Sequence, residues 1–142
     1  MKIYIVCPVA KITANERYKL DKYVKELESE GHKVHLPFRD TYQVSIGGGI
    51  LQMAQNRKAI EGADEVHVFW NRSSEGSKFD IGMAYALRKP IVLINPVEIK
   101  IGQKTFENVL MLLHMVHKLG ISGELSSTKA PRSVVKVSPW EL

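Results

Sequence analysis

Residues 65–94 read EVHVFWNRSSEGSKFDIGMAYALRKPIVLI, and this stretch decides the fold. Glu65 to Trp70 is a short apolar run with strand character, and Ile91 to Ile94 is a second one, apolar throughout. Between them lies a small polar loop, Asn71 through Ser77, followed by a segment from Lys78 to Arg88 with helical periodicity. Pro90 closes that helix because it cannot continue the backbone hydrogen-bond ladder. Strand, loop, helix and strand in this order form a β-α-β unit with parallel strands and a right-handed crossover. An all-apolar strand such as 91–94 belongs in a sheet covered on both faces.

The same alternation extends upstream. Residues 2–6 and 33–36 read as strands, and between them Leu20, Tyr23, Val24 and Leu27 recur at the spacing of one helical face. Thr13 and Glu16 form a T-x-x-E capping box at the start of that helix, and Gly31 supplies its stop. A further helix is expected from about Ile50 to Glu61, another from Thr105 to Leu119, and a fifth strand over Ser133 to Val137. The reading is a single α/β domain spanning residues 1–142, with an open sheet of about five mainly parallel strands and helices on both faces. The loop-like stretch from about residue 121 to Ser133 is expected to be mobile.

The 105–119 helix carries two apolar faces. Phe106, Val109, Leu110, Leu113 and His117 make one, while Met111, Leu112 and Met115 cover another. A helix apolar on more than one side is central or shared with a partner. The expectation is a homodimer or higher homo-oligomer built on this helix, with His114 and His117 in its core or interface rather than on a metal.

Composition narrows the function. Apolar residues are 44% and charged residues 25% of 142, with no apolar run near the roughly 20 residues that span a bilayer. No signal-peptide pattern is present, and the single cysteine, Cys7, excludes an internal disulfide; a cytoplasmic protein with no membrane role is expected. The net charge of +5 is dispersed among acids, with no basic run or aromatic-interleaved stripe, so nucleic acid is a poor partner and a small anion a better one.

Ligands of an open parallel sheet bind beyond the carboxyl ends of its strands. That edge contains Cys7-Pro8-Val9, Pro37 through Asp40, and Asn71 through Ser77. Ser73, Ser74, Gly76 and Ser77 lead into a helix, whose N–H groups and dipole favour an anion such as phosphate; the bland alternative is a solvated loop with Ser77 as N-cap. Asp80 has two readings as well: the acid of an S-x-x-D capping box, or a nucleophile or acid–base group in the cleft. Gly47-Gly48-Gly49 matches no phosphate-binding motif and reads as a close-approach turn or a lid, and Cys7 as a packing residue.

The chain resembles the nucleoside 2-deoxyribosyltransferase family, including its nucleoside monophosphate N-glycosidase relatives. The resemblance rests on Ile3-Tyr4-Ile5, Gly31-His32-Lys33-Val34, Pro37 with Asp40, Ala59 through Val66, and Gly76-Ser77-Lys78-Phe79-Asp80-Ile81-Gly82-Met83-Ala84. It implies a flavodoxin-like fold, no cofactor and no metal, and sites near subunit interfaces. The implied activity is cleavage or transfer at the N-glycosidic bond of a (deoxy)nucleoside or its monophosphate by a carboxylate nucleophile. On this resemblance Asp80 is the nucleophile, in place of the family's Glu, and Tyr4 orients it. Asp40 and Asn56 contact base or sugar, Asn56 standing where the family carries Asp. Ser74 and Ser77 hold hydroxyl or phosphate, and Arg57 and Gly76 complete the substrate-binding set. The alternative implied is a nucleotide-binding or sensing module of the same fold without catalysis.

Overall fold

The computed structural model describes residues 1–44, 47–120 and the strand at 134–137. The loop expected from about residue 121 lies outside the described residues. Four parallel strands, β1 (Lys2–Val6), β2 (Lys33–His35), β3 (Glu65–Val68) and β4 (Ile91–Leu93), form a sheet in the order β2-β1-β3-β4. Ile3 pairs with Val34, Tyr4 with Val66, and Val68 with Leu93. The fold is α/β and flavodoxin-like. The fifth strand expected at the C-terminus does form, as β6 (Val134–Val137), but outside this sheet: it runs antiparallel to β5 (Val97–Lys100), which the sequence reading did not anticipate.

Alternation along the strands divides the core into two layers. Ile3, Ile5, Phe69, Val92 and Ile94 face α1 (Ala14–Ser29), meeting Leu20 and Val24. Tyr4, Val6, Val66, Val68, Ile91 and Leu93 face the other way, against Ile60 of α3 (Ile50–Gly62), Ile81 and Ala84 of α4 (Glu75–Ala86), and Leu110 and Met111 of α5 (Phe106–Leu119). A short α2 (Pro37–Asp40) follows β2. The capping box at Thr13 forms with both of its bonds, and Gly31 ends that region at φ +87°. Gly49 precedes α3 at φ +90°, in the left-handed region where a side chain is strained. The glycine run is thus a tight turn into α3, outside the lining of the cleft described below.

Two expectations about the helices are corrected. α4 begins three residues earlier than expected, because Ser74 rather than Ser77 is the N-cap and accepts from the Ser77 N–H at 3.3 Å. In α5 the core-facing stripe is Glu107, Leu110, Met111 and His114, so Leu110 and Met111 share one buried face instead of belonging to two. Phe106, Val109, Leu112 and Leu119 are its exposed large apolar positions. His114 is buried and its Nδ1 accepts from the Leu93 N–H at 3.1 Å, covering the outer edge of β4 that would otherwise be open to pairing. Among the described residues no helix is long and apolar enough to cross a membrane.

Candidate active site

β1 and β3 are neighbours whose crossovers leave in opposite directions, through α1 toward β2 and through α4 toward β4. Their loops therefore part at the carboxyl edge of the sheet, the topological switch point where such folds hold ligands. A cleft of about 540 Å³ opens there, large enough for a nucleotide-sized molecule. Cys7 and Lys11 line it from the loop after β1, Thr41 and Gln43 from the segment after α2, Asn56 from α3, and Ser73 through Gly76 with Asp80 from the loop after β3 and α4.

Asp80 sits at the floor, 5% exposed. It does not cap α4: its carboxylate accepts the Tyr4 hydroxyl proton at 2.8 Å and the Asn56 amide N–H at 3.2 and 3.3 Å. The capping-box alternative for Ser77 and Asp80 is thereby set aside. Burial pushes the Asp80 carboxyl above its ordinary range, while the bonds from Tyr4 and Asn56 pull it down. Burial and the adjacent Asp80 also push the Tyr4 phenol up, so its proton stays in place as a donor. Cys7 is pushed up to about 12 for the same reasons and remains a thiol.

A second layer fixes Asn56. Its amide oxygen accepts from the Thr41 hydroxyl at 2.8 Å, which turns its amide nitrogen toward Asp80. A hydroxyl has one proton, so Thr41 must accept from the His35 Nε2–H, 2.9 Å away. The His35 ring stacks on Tyr4 at 5.2 Å between centroids, closing the network back onto the residue that holds Asp80. Losing the Thr41 donor leaves a buried carbonyl oxygen unsatisfied, at a cost of about 1–3 kcal/mol.

The opposite wall is anchored from α5. Glu107, 6% exposed, accepts from the Trp70 indole N–H at 2.8 Å and from the Arg72 Nε and Nη2 at 2.9 and 3.0 Å. The Arg72 guanidinium holds its carboxyl down at about 2. Asn95 exchanges bonds with the Trp70 backbone N–H and carbonyl at 2.6 and 2.9 Å, and Asn71 accepts from the Ser73 N–H and hydroxyl. These contacts hold the loop that presents Ser73, Ser74 and Gly76 to the cleft.

Of the residues singled out in the sequence, the structure brings together Tyr4, Asn56, Ser74, Gly76 and Asp80. Ser77 lies beneath the loop, 1% exposed, with its hydroxyl donating to Ser74 at 2.8 Å. Asp40 and Arg57 are not in the cleft lining. Asp40 accepts from the Leu36 N–H at 2.8 Å and from the Arg39 guanidinium, so it closes α2. Arg57 is exposed on α3, one residue past the buried Asn56, where the helix turns it outward. Lys11, Thr41 and His35 escaped the sequence reading. Thr41 is one residue beyond the Pro37–Asp40 segment that the reading placed at this edge.

No family model matches the chain, and no curated protein matches it. Among solved structures, the 2-deoxyribosyltransferase from Bacillus psychrosaccharolyticus is similar with TM-score 0.57 at 23% identity, over 66% of this chain and 71% of that one. A CMP N-glycosidase from Clostridium botulinum superposes with TM-score 0.49 at 20% identity, over 66% and 70%. A 2-deoxyribosyltransferase from Leishmania mexicana gives 0.49 at 18% identity, over 66% and 63%. The first of these establishes a shared fold.

Proposed function

We propose that the chain acts on the N-glycosidic bond of a nucleoside or nucleoside monophosphate, with Asp80 as the nucleophile. The observation that carries this reading is the Asp80 carboxylate on the cleft floor, buried yet held by the Tyr4 hydroxyl and the Asn56 amide. Burial weakens its solvation and keeps it reactive, and two donors fix its direction. Attack at C1′ forms a glycosyl ester as the C1′–N bond breaks; water or an acceptor base then displaces Asp80. The fold shared with a 2-deoxyribosyltransferase is consistent with this chemistry. The test is incubation with a panel of nucleosides and monophosphates, with and without an acceptor base, followed by chromatography. Free base or an exchanged nucleoside is expected; the absence of both from every substrate sinks the reading.

The ligand's phosphate belongs at the loop after β3, where Ser73 and Ser74 meet the start of α4, with Lys11 across the cleft. Lys11→Gln should weaken binding of a monophosphate about tenfold, roughly 1.4 kcal/mol, and leave the matching nucleoside unchanged. Calorimetry giving equal losses for the two ligands removes phosphate recognition from Lys11. The proposal includes a homo-oligomer that covers Phe106, Val109 and Leu112 on the exposed side of α5.

A further inference from the structure

A neutral nucleobase leaves C1′ as an anion unless something protonates it, and a positioned acid is worth about 10²–10⁴ in rate. Among the described residues the cleft floor offers no such acid. The Tyr4 proton is given to Asp80, the Asn56 amide shares one N–H between the Asp80 oxygens and carries no acidic proton to transfer, and the Thr41 proton is given to Asn56. The Cys7 thiol, the remaining buried donor along the cleft, is too weak an acid. Lys11 and Glu75 are exposed at the rim. The polar hydrogens of the floor are thus arranged around the nucleophile. Asn56 is oriented from both ends of its amide, and an amide can hydrogen-bond a base but cannot protonate it.

The geometry points to a substrate whose leaving base is already cationic: a pyridinium N-riboside, or its 5′-phosphate, linked through a quaternary ring nitrogen. This deepens the glycosidic reading and rests on it. A cationic ring needs no proton to depart, because the electron pair of the breaking C1′–N bond neutralises it. Asp80 Oδ forms the bond to C1′ as that bond breaks, and the products are a neutral pyridine and the glycosyl ester. Water then attacks C1′, the ester bond breaks with its electron pair returning to Asp80, and the water's second proton passes to solvent. A cation above a poorly solvated carboxylate is favoured electrostatically before reaction. Among the described residues, the charged or titratable groups around Asp80 are Tyr4 and Cys7 from β1 and the loop after it, with Lys11 and Glu75 at the rim.

The experiment compares base release from nicotinamide mononucleotide, cytidine monophosphate and adenosine monophosphate by the full chain. The pyridinium compound should react at least about a hundredfold faster than either neutral nucleotide. Intrinsic lability of the pyridinium bond is controlled by Asn56→Asp, which restores a carboxylic acid beside Asp80. This variant should raise release from the neutral nucleotides and shrink the ratio at least about tenfold. Equal rates in the native chain, or a ratio that Asn56→Asp leaves unchanged, overturn the cationic substrate class while leaving glycosidic cleavage intact. Release from none of the three, nor from the wider nucleoside panel, overturns the glycosidic reading itself.

Discussion

Asp80→Asn should abolish base release, by about 10³-fold or more, and should raise thermal stability at neutral pH. Losing a nucleophile removes the covalent path altogether, so the kinetic loss is far larger than the loss of one hydrogen bond. The stability effect follows from burial. In the unfolded chain an Asp titrates near its ordinary 3.8, and in the fold burial moves Asp80 above it. The folded state therefore keeps the proton to higher pH. Stability is lost as pH rises from the ordinary carboxylate range through the folded value, and at neutral pH the ionised group is a net cost. Asn has nearly the same shape, and its carbonyl oxygen can still accept from Tyr4 and Asn56. Its melting temperature should exceed that of the native chain at pH 7 and converge with it near pH 3, with about 4 °C for each kcal/mol recovered. Scanning calorimetry and chromatography read the two effects. Retained turnover removes Asp80 from the chemistry, and a lowered melting temperature at pH 7 contradicts the cost of its buried charge.

The second large effect separates two adjacent residues of α5. Met111 is 4% exposed and packs in the core layer with Leu110, while Leu112 is 46% exposed. Met111→Glu places a carboxylate in that layer without a partner, costing on the order of 4 kcal/mol of the 5–15 kcal/mol that holds a domain folded. Leu112→Glu should change the stability of the isolated chain by no more than about 0.5 kcal/mol. If α5 joins copies of the chain, the same change should dissociate them, because charge is poorly tolerated at an interface core. Thermal melts and sedimentation velocity distinguish the outcomes. A native chain that sediments as a monomer at micromolar concentration contradicts the oligomer, and a Met111→Glu chain that melts like the native one contradicts the core assignment.

What the sequence disclosed followed from periodicity. The alternation at 2–6, 33–36, 65–70 and 91–94 locates the four parallel strands, and Thr13-x-x-Glu16 marks the start of α1. Periodicity misjudged α5 because its buried stripe contains Glu107 and His114, whose hydrogen bonds to Trp70, Arg72 and the Leu93 N–H let polar groups occupy core positions. It also missed β5, which ends within a residue of a turn and pairs with a distant strand. In the site, Asp80 stood out by its place in the first turns of the helix after β3, and Tyr4 only through the resemblance. The roles of Thr41 and His35 were not legible. They exist only through a chain of hydrogen bonds from β2 to α3, and no local spacing encodes a contact between residues 35, 41 and 56. Asp40 entered the site through the resemblance, yet Arg39 and the Leu36 N–H occupy its carboxylate.

The central claim, that Asp80 forms a covalent bond to the sugar, is tested most directly by rapid acid quench during turnover and peptide mapping by mass spectrometry. The account predicts a glycosyl adduct on the peptide bearing Asp80, present with native chain and missing with Asp80→Asn. Base release with no adduct at any quench time, or an adduct on a different residue, contradicts it.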